Sequence, residues 1–239
     1  MIYTTKLIKK REIAEGTTEF TFERPAGFVY QSGQTIDLTL VNPPETDAEG
    51  NSRTFSLVSA PHEEVLKIAT RMRDTAFKRT LRDMEPGTEL SLEGPFGSFL
   101  LHENTARPAV FLSGGIGITP FHSILSDAVE RKLTHSLFLF FSNRRPEDTA
   151  FLDELQEFEK KNPNFTLVAT MTEIEKSTKP WEGERGYINA DMLARHLPKD
   201  ASPIYYLAGP QAMVTAMRAM LNESGVSNDD IRFEEFAGY

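Results

Sequence analysis

Apolar and polar residues alternate in short runs along the first hundred positions, as in Thr18-Glu19-Phe20-Thr21-Phe22 and Ile36-Asp37-Leu38-Thr39-Leu40. Successive strand side chains point to opposite faces, so this period of two predicts strands with one buried face. Further strands are predicted at 3–9, 54–58, 65–71 and 89–92, with a single helix over about 75–84. Pro43-Pro44 opens a polar loop that runs to Asn51. Six strands separated by turn residues predict a small antiparallel β-barrel.

The pattern changes near residue 105. Strands predicted at 109–113, 136–142, 165–170, 204–208 and 231–235 are separated by helical spacing. That spacing is carried by Phe121, Ile124, Leu125, Ala128 and Val129, then Leu152, Leu155 and Phe158, then Met213, Ala216, Met217, Met220 and Leu221. Leu137-Phe138-Leu139-Phe140-Phe141 is continuously apolar, which suits a strand buried on both faces. Alternating units of this kind predict an open α/β parallel sheet with right-handed crossovers. The expected division is therefore a six-stranded antiparallel barrel at 1–104 and an α/β domain at 105–239, with the boundary between 102 and 108.

Composition narrows the chemistry. A net charge of -9 argues against a general grip on nucleic acid. The chain has no cysteine, so it carries no disulfide, no thiolate zinc site and no cysteine-held iron–sulfur cluster. Its five histidines lack ligand spacing, and no metal site is expected. No apolar run is long enough to insert in a membrane, and the N-terminus lacks an apolar leader core. A cytoplasmic location is expected.

Three segments carry candidate chemistry. Ser113-Gly114-Gly115-Ile116-Gly117-Ile118-Thr119-Pro120 follows the first α/β strand and opens its first helix. Glycines there let backbone approach a ligand, and helix-start amides favour a pyrophosphate. Between Lys67 and Arg82 stand six basic residues (Lys67, Arg71, Arg73, Lys78, Arg79, Arg82) against the single acid Asp74, a local reversal of the chain's charge. Thr75 stands near the start of the helix in that stretch. The stretch suits a cofactor phosphate, an acidic protein partner, or simply a solvated face. In Arg53-Thr54-Phe55-Ser56, an arginine fork suits phosphate, an aromatic can lie on a planar ring, and a serine can hydrogen-bond.

Together these pieces resemble the ferredoxin–NADP reductase superfamily over essentially the whole chain. Arg53-Thr54-Phe55-Ser56 is similar to its RxYS signature, with phenylalanine for tyrosine, and Gly94-Pro95-Phe96-Gly97 to its GPxG turn. Gly114-Gly115-Ile116-Gly117-Ile118-Thr119-Pro120 resembles its GGxGxxP loop, and Ala208-Gly209-Pro210-Gln211-Ala212-Met213 its CGPxxM, with alanine for cysteine. Lys78 stands where the family has a serine before its phosphate-facing helix.

The resemblance implies a bound FAD (FMN being the other possibility) reduced by NADPH or NADH. It implies that Arg53 neutralises flavin phosphate, Phe55 packs on the flavin and Ser56 hydrogen-bonds near its N5. Thr70, Arg71 and Met72 would pass beside the flavin, and Thr75 and Lys78 would face its phosphate. Gly114, Gly115, Gly117, Thr119 and Pro120 would take the nicotinamide dinucleotide's pyrophosphate, and Gly209, Pro210 and Met213 would lie beneath the nicotinamide. Glu235 would position the ring or relay a proton, and Phe236 or Tyr239 would supply a terminal aromatic lid. Arg144 and Arg145 stand where the adenosine 2′-phosphate can be read, or are surface charges. The implied activity is hydride transfer from NAD(P)H to flavin, then electron delivery to a ferredoxin, flavodoxin or oxygenase component. Free flavin or ferric chelates are alternative acceptors, and a flavin-binding subunit without turnover is a third reading.

Overall fold

A computed structural model describes residues 1–236. The first sheet joins β1 (Ile2–Ala14), β2 (Thr17–Glu23), β3 (Thr35–Leu40), β4 (Ser52–Ser56), β5 (Val65–Arg71) and β6 (Glu89–Phe96) in the order β4-β3-β6-β1-β2-β5, all pairs antiparallel. The sheet curls until its ends meet: just beyond β4, the Val58 N–H donates to the Lys67 carbonyl of β5 at 2.8 Å. Inward positions of β3 (Ile36, Leu38, Leu40) and of β2 (Phe20, Phe22) fill the interior, as their alternation predicts. Helix α1 (Ala76–Asp83) plugs the barrel with Phe77 and Leu81. Burying one such aromatic side chain contributes roughly 2–3 kcal/mol. Thr75 begins that helix by accepting from the Lys78 N–H at 3.3 Å.

Strand β2 is buried on both faces, which its alternation did not predict. Glu19 lies outside the barrel yet is almost fully covered, because Arg11 of β1 pairs with it at 3.3 Å. Arg11 also reaches Glu154 of the α/β half at 2.9 Å. The α/β half covers this side of the barrel, so the polar face of β2 is an interface.

The second sheet runs β10 (Glu184–Arg185), β9 (Phe165–Met171), β8 (Leu137–Asn143), β7 (Ala109–Gly114), β11 (Ile204–Pro210), β12 (Ile231–Phe236), every pair parallel. Helices α2 (Ile118–Glu130), α3 (Leu152–Lys161), α4 (Ala190–His196) and α5 (Gln211–Glu223) complete it. Leu137, Leu139 and Phe141 pack on one side of β8 with residues of α2 and α3. Phe140 packs on the other, with residues of α4 and α5. Strand β10 and helix α4 escape the sequence pattern because two and seven residues are too few to display a period.

The two halves share one core: Val58, Ala69 and Phe99 pack among Phe121, Ile124 and Leu125 of α2. Buried polar groups register them. His122 of α2 sets Nδ1 on the Val58 carbonyl at 3.0 Å and Nε2 on Glu154 at 2.9 Å, and Ser123 Oγ donates to the Ser59 carbonyl at 2.7 Å. These contacts hold the end of β4 against the first helix of the parallel sheet.

Candidate functional site

On the barrel side, β4 and α1 bring charge together. The Arg53 guanidinium lies over the Phe77 ring, 5.2 Å from its centroid, and Phe55 packs on the same ring at 5.9 Å. Thr54 donates to the Asp37 carboxylate across the ladder, and Ser56 closes the strand, buried opposite Thr35. Lys78 donates from Nζ to the Arg71 carbonyl at 2.8 Å. Burial, and then the charges of Arg73 and Arg53, hold its ammonium below the usual lysine range. Arg53, Arg73 and Lys78 are therefore neighbours at the start of α1, although as many as 25 positions separate them in the chain. Such a donor set fits a phosphate. Thr70 is buried, while Arg71 and Met72 line a cavity of about 340 Å³ shared with Arg144.

Half of the basic stretch is paired with acids. Lys67 pairs with Glu63, Arg79 with Glu45 and Asp74, and Arg82 with Asp83. Three of these partners, Glu45, Glu63 and Asp83, lie outside the stretch, so counting charge within 67–82 overstates it. Arg71, Arg73 and Lys78 have no ion pair among the described residues.

On the other side, β7 ends in Gly114, a tight turn spans Gly115–Gly117 and α2 follows at once. The amides that open α2 have no side-chain cap, and neither do those that open α5 after Pro210. The Ile118 amide already bonds back to the Gly115 and Ile116 carbonyls. Two helix starts without a side-chain cap lie at the carboxyl ends of adjacent parallel strands, a placement suited to a dinucleotide's phosphates. Thr119 instead turns its hydroxyl back to the Ile116 carbonyl at 3.1 Å. Pro120 lies buried in the first turn of α2.

Several of the glycines are needed by the protein itself. A β-carbon on Gly117 would lie 2.1 Å from the Ala208 carbonyl oxygen and 2.7 Å from the Gly209 α-carbon. One on Gly114 would lie 2.3 Å from Met213 Sδ. Gly209, at φ +155, approaches the Gly114 backbone. The two glycine motifs thus interlock, and Ala208 is fully buried in that seam.

Strand β12 requires a correction. Ile231 packs toward α5, and Phe233 lies beneath Arg218 of α5 at 4.1 Å. Alternation therefore puts Glu235 on that outer face, where it is exposed, and not toward the barrel. Arg232, Glu234 and Phe236 take the opposite face, with Arg232 donating to the Leu100 carbonyl at 2.9 Å. Glu234 is the carboxylate that reaches the site. It stands opposite Ala208 in register, and its Oε1 lies 3.9 Å from where a side chain on Gly97 would begin. Its Oε2 is buried without a hydrogen-bond partner, and burial pushes the carboxyl up to about 7. Strand parity counted from Ile231 is the signal that separates Glu234 from its neighbour. Phe236 is half-buried opposite Pro210. Tyr239 lies outside the described residues.

Arg144 and Arg145 also part company. Arg145 is held by Glu15 of the barrel at 2.7 Å and by Asp148 at 2.9 Å. Arg144 lines the shared cavity and has no ion pair among the described residues. Glu173, brought beside it from the end of β9, is already paired with Lys176 at 2.8 Å. No helix among the described residues is long and apolar enough to cross a membrane.

Comparison with known proteins agrees with this geometry. Residues 111–219 match the family model of the oxidoreductase NAD-binding domain. The chain is 32% identical over 221 residues to the reductase component of propane 2-monooxygenase from Rhodococcus jostii, covering 89% of this chain and 57% of that protein. It therefore spans little more than half of that relative. It is 27% identical over 244 residues to ferredoxin–NADP reductase B of Sorangium cellulosum, covering 98% of this chain and 97% of the relative. Among solved structures, the FAD/NAD-binding domain of nitric oxide dioxygenase from Vibrio cholerae superposes with a TM-score of 0.83 at 20% identity, covering 98% of each chain. A ferredoxin–NADP+ reductase from Neisseria gonorrhoeae superposes with a TM-score of 0.80 at 22% identity, covering 98% of each chain. With an antiparallel barrel joined to a parallel α/β sheet, and with residues 111–219 matching an oxidoreductase NAD-binding domain, the chain has the two-domain fold of the ferredoxin reductase-like proteins that it resembles.

Proposed function

We propose that this chain is an NAD(P)H-dependent flavoprotein reductase, with residues 1–104 holding FAD and 105–239 holding the nicotinamide nucleotide. The observation that carries this reading is the meeting of two strand ends. Ser56 and Thr35 close the barrel where Gly97 turns, and Glu234 of the parallel sheet reaches the same turn. FAD, when bound, accepts a hydride from the dihydronicotinamide and releases electrons onward. The protein's part is to hold and orient. Lys78 and Arg73 at the start of α1 supply charge for the flavin phosphates, and Phe55 supplies an aromatic face. The uncapped starts of α2 and α5 receive the dinucleotide phosphates. Shared packing of α2 against Val58 and Phe99 keeps the two sites in fixed register, which favours near-attack geometry. Ser56 and Glu234 are placed to hold or pass a proton at this junction.

Anaerobic rapid mixing of the FAD-loaded protein with NADPH or NADH tests the proposal. Loss of the oxidised flavin's yellow absorbance is expected; no loss with either nucleotide overturns the reading. Electrons then pass to an acceptor outside this chain, which has no cysteine for a cluster. The relatives' names favour a ferredoxin or an oxygenase component over free flavin.

Arg144 favours NADPH, because it alone of the arginine pair has no ion pair among the described residues and can take a 2′-phosphate. Losing a charge-assisted hydrogen bond costs about tenfold or more in binding. Arg144→Ala is therefore expected to raise KM for NADPH at least about tenfold while leaving NADH nearly unchanged. Arg145→Ala should instead lower the melting temperature through loss of its Glu15 and Asp148 pairs. Equal effects of Arg144→Ala on both nucleotides would remove the NADPH assignment.

A further inference from the structure

The loop between β3 and β4 carries three acids, Glu45, Asp47 and Glu49, and no base. All three are turned onto the cations beside the start of α1. Arg53 Nη2 pairs with the Asp47 carboxylate at 2.9 Å and with Glu49 at 3.1 Å. Arg53 Nη1 donates to the carbonyls of Glu49 and Gly50, each at 3.0 Å, and of Ser52 at 2.8 Å. Arg79 binds both oxygens of Glu45 in a two-pronged pair, at 2.8 and 2.6 Å.

Asp47 therefore holds the arginine fork that an anion would use here. Arg53 keeps only its Nε–H uncommitted among the described residues, and its side chain is just 20% exposed. This loop was chosen by sequence only as a polar connection. Its position sets a carboxylate on the arginine that the flavin reading assigns to phosphate.

We propose that the acidic loop 41–51 is an internal anion that occupies the flavin-phosphate cradle, so that flavin binds by displacing Asp47 and Glu49 from Arg53. The inference rests on the flavin reading above and adds to it a control on flavin occupancy. Exchange of one anion for another makes association slow and makes the net gain small, because phosphate must replace contacts that already exist. Removing the carboxylate charges while keeping side-chain shape removes the competitor.

The test uses the full chain stripped of flavin, titrated with FAD and followed by flavin fluorescence, with rapid mixing for association. Asp47→Asn with Glu49→Gln is expected to bind FAD about tenfold tighter, and with faster association, than the unaltered chain. Glu49→Gln alone keeps Asp47 as the loop's anchor and is expected to give a smaller gain in the same direction, so misfolding of the double variant would not remove the test. Glu157→Gln with Glu223→Gln changes net charge equally at exposed sites elsewhere and should leave affinity unchanged. Equal or weaker FAD binding by both loop variants overturns the proposal and makes the acids supports for Arg53. Tighter binding that the control pair reproduces overturns it as a general charge effect. No FAD binding by any of these proteins overturns the flavin reading, and the exchange with it.

Discussion

Gly117→Ala is expected to destabilise the protein by about 3 kcal/mol or more, the cost of overpacking a site that cannot relax. The reason is the identity of the atoms that would be struck. A β-carbon there meets the Ala208 carbonyl oxygen, the Ala208 carbonyl carbon and the Gly209 α-carbon, all backbone, at 2.1, 2.5 and 2.7 Å. The conformation of Gly117 itself is ordinary, at φ -59 and ψ -7, so the cost is contact and not backbone strain. Relief requires β7 and β11, adjacent strands of one sheet, to separate at their carboxyl ends. For a protein of this size such a loss lowers the melting temperature by roughly 6–12 °C. Gly114→Ala provides the contrast. Its β-carbon meets Met213 Sδ, the flexible part of a side chain, so the loss should be smaller and should be restored by adding Met213→Ala. A Gly117→Ala protein that melts with the unaltered chain would show that the interlock is looser than drawn.

The second large effect is one of pH. Glu234 has a carboxyl that burial raises to about 7 from the ordinary 4.5. Between those values the folded protein holds a proton that the unfolded chain has lost. Stability is therefore fully present below about 4.5, falls as pH rises through 7, and levels off above it. The displacement corresponds to about 3 kcal/mol at most. Glu234→Gln should abolish that slope and leave the variant the more stable protein above pH 7. Under the proposed function it should also remove a break near neutral pH in the rate of flavin reduction, whereas Glu235→Gln should alter neither. Chemical denaturation at several pH values reads the first effect, and single-turnover reduction the second. Retention of the wild-type slope by Glu234→Gln would assign the titration to another group.

These two predictions show which parts of the site were legible in the chain. The glycine loops could be read because tight turns and close approach demand glycine wherever they occur. The strands and longer helices could be read because a period of two or 3.6 survives in any run of sufficient length. Glu235 was named without its neighbour Glu234 because adjacent acids look alike in sequence, and only packing of Ile231 and Phe233 on α5 sets the parity of β12. Arg144 and Arg145 could not be ranked for a similar reason. Glu15, which captures Arg145, is 130 positions away.

By itself the sequence determined the order of the two halves, the barrel and parallel-sheet classes, and the two glycine motifs, because these depend on local periodicity and local conformational freedom. The tertiary structure alone decided which charges are free. It paired Arg53 with Asp47 and Glu49, dispersed the basic stretch among acids from other segments, and left Glu234 buried with an unpartnered oxygen. Electrostatic pairing acts through space over a few ångströms, and neighbours at that distance are set by how the chain folds back on itself.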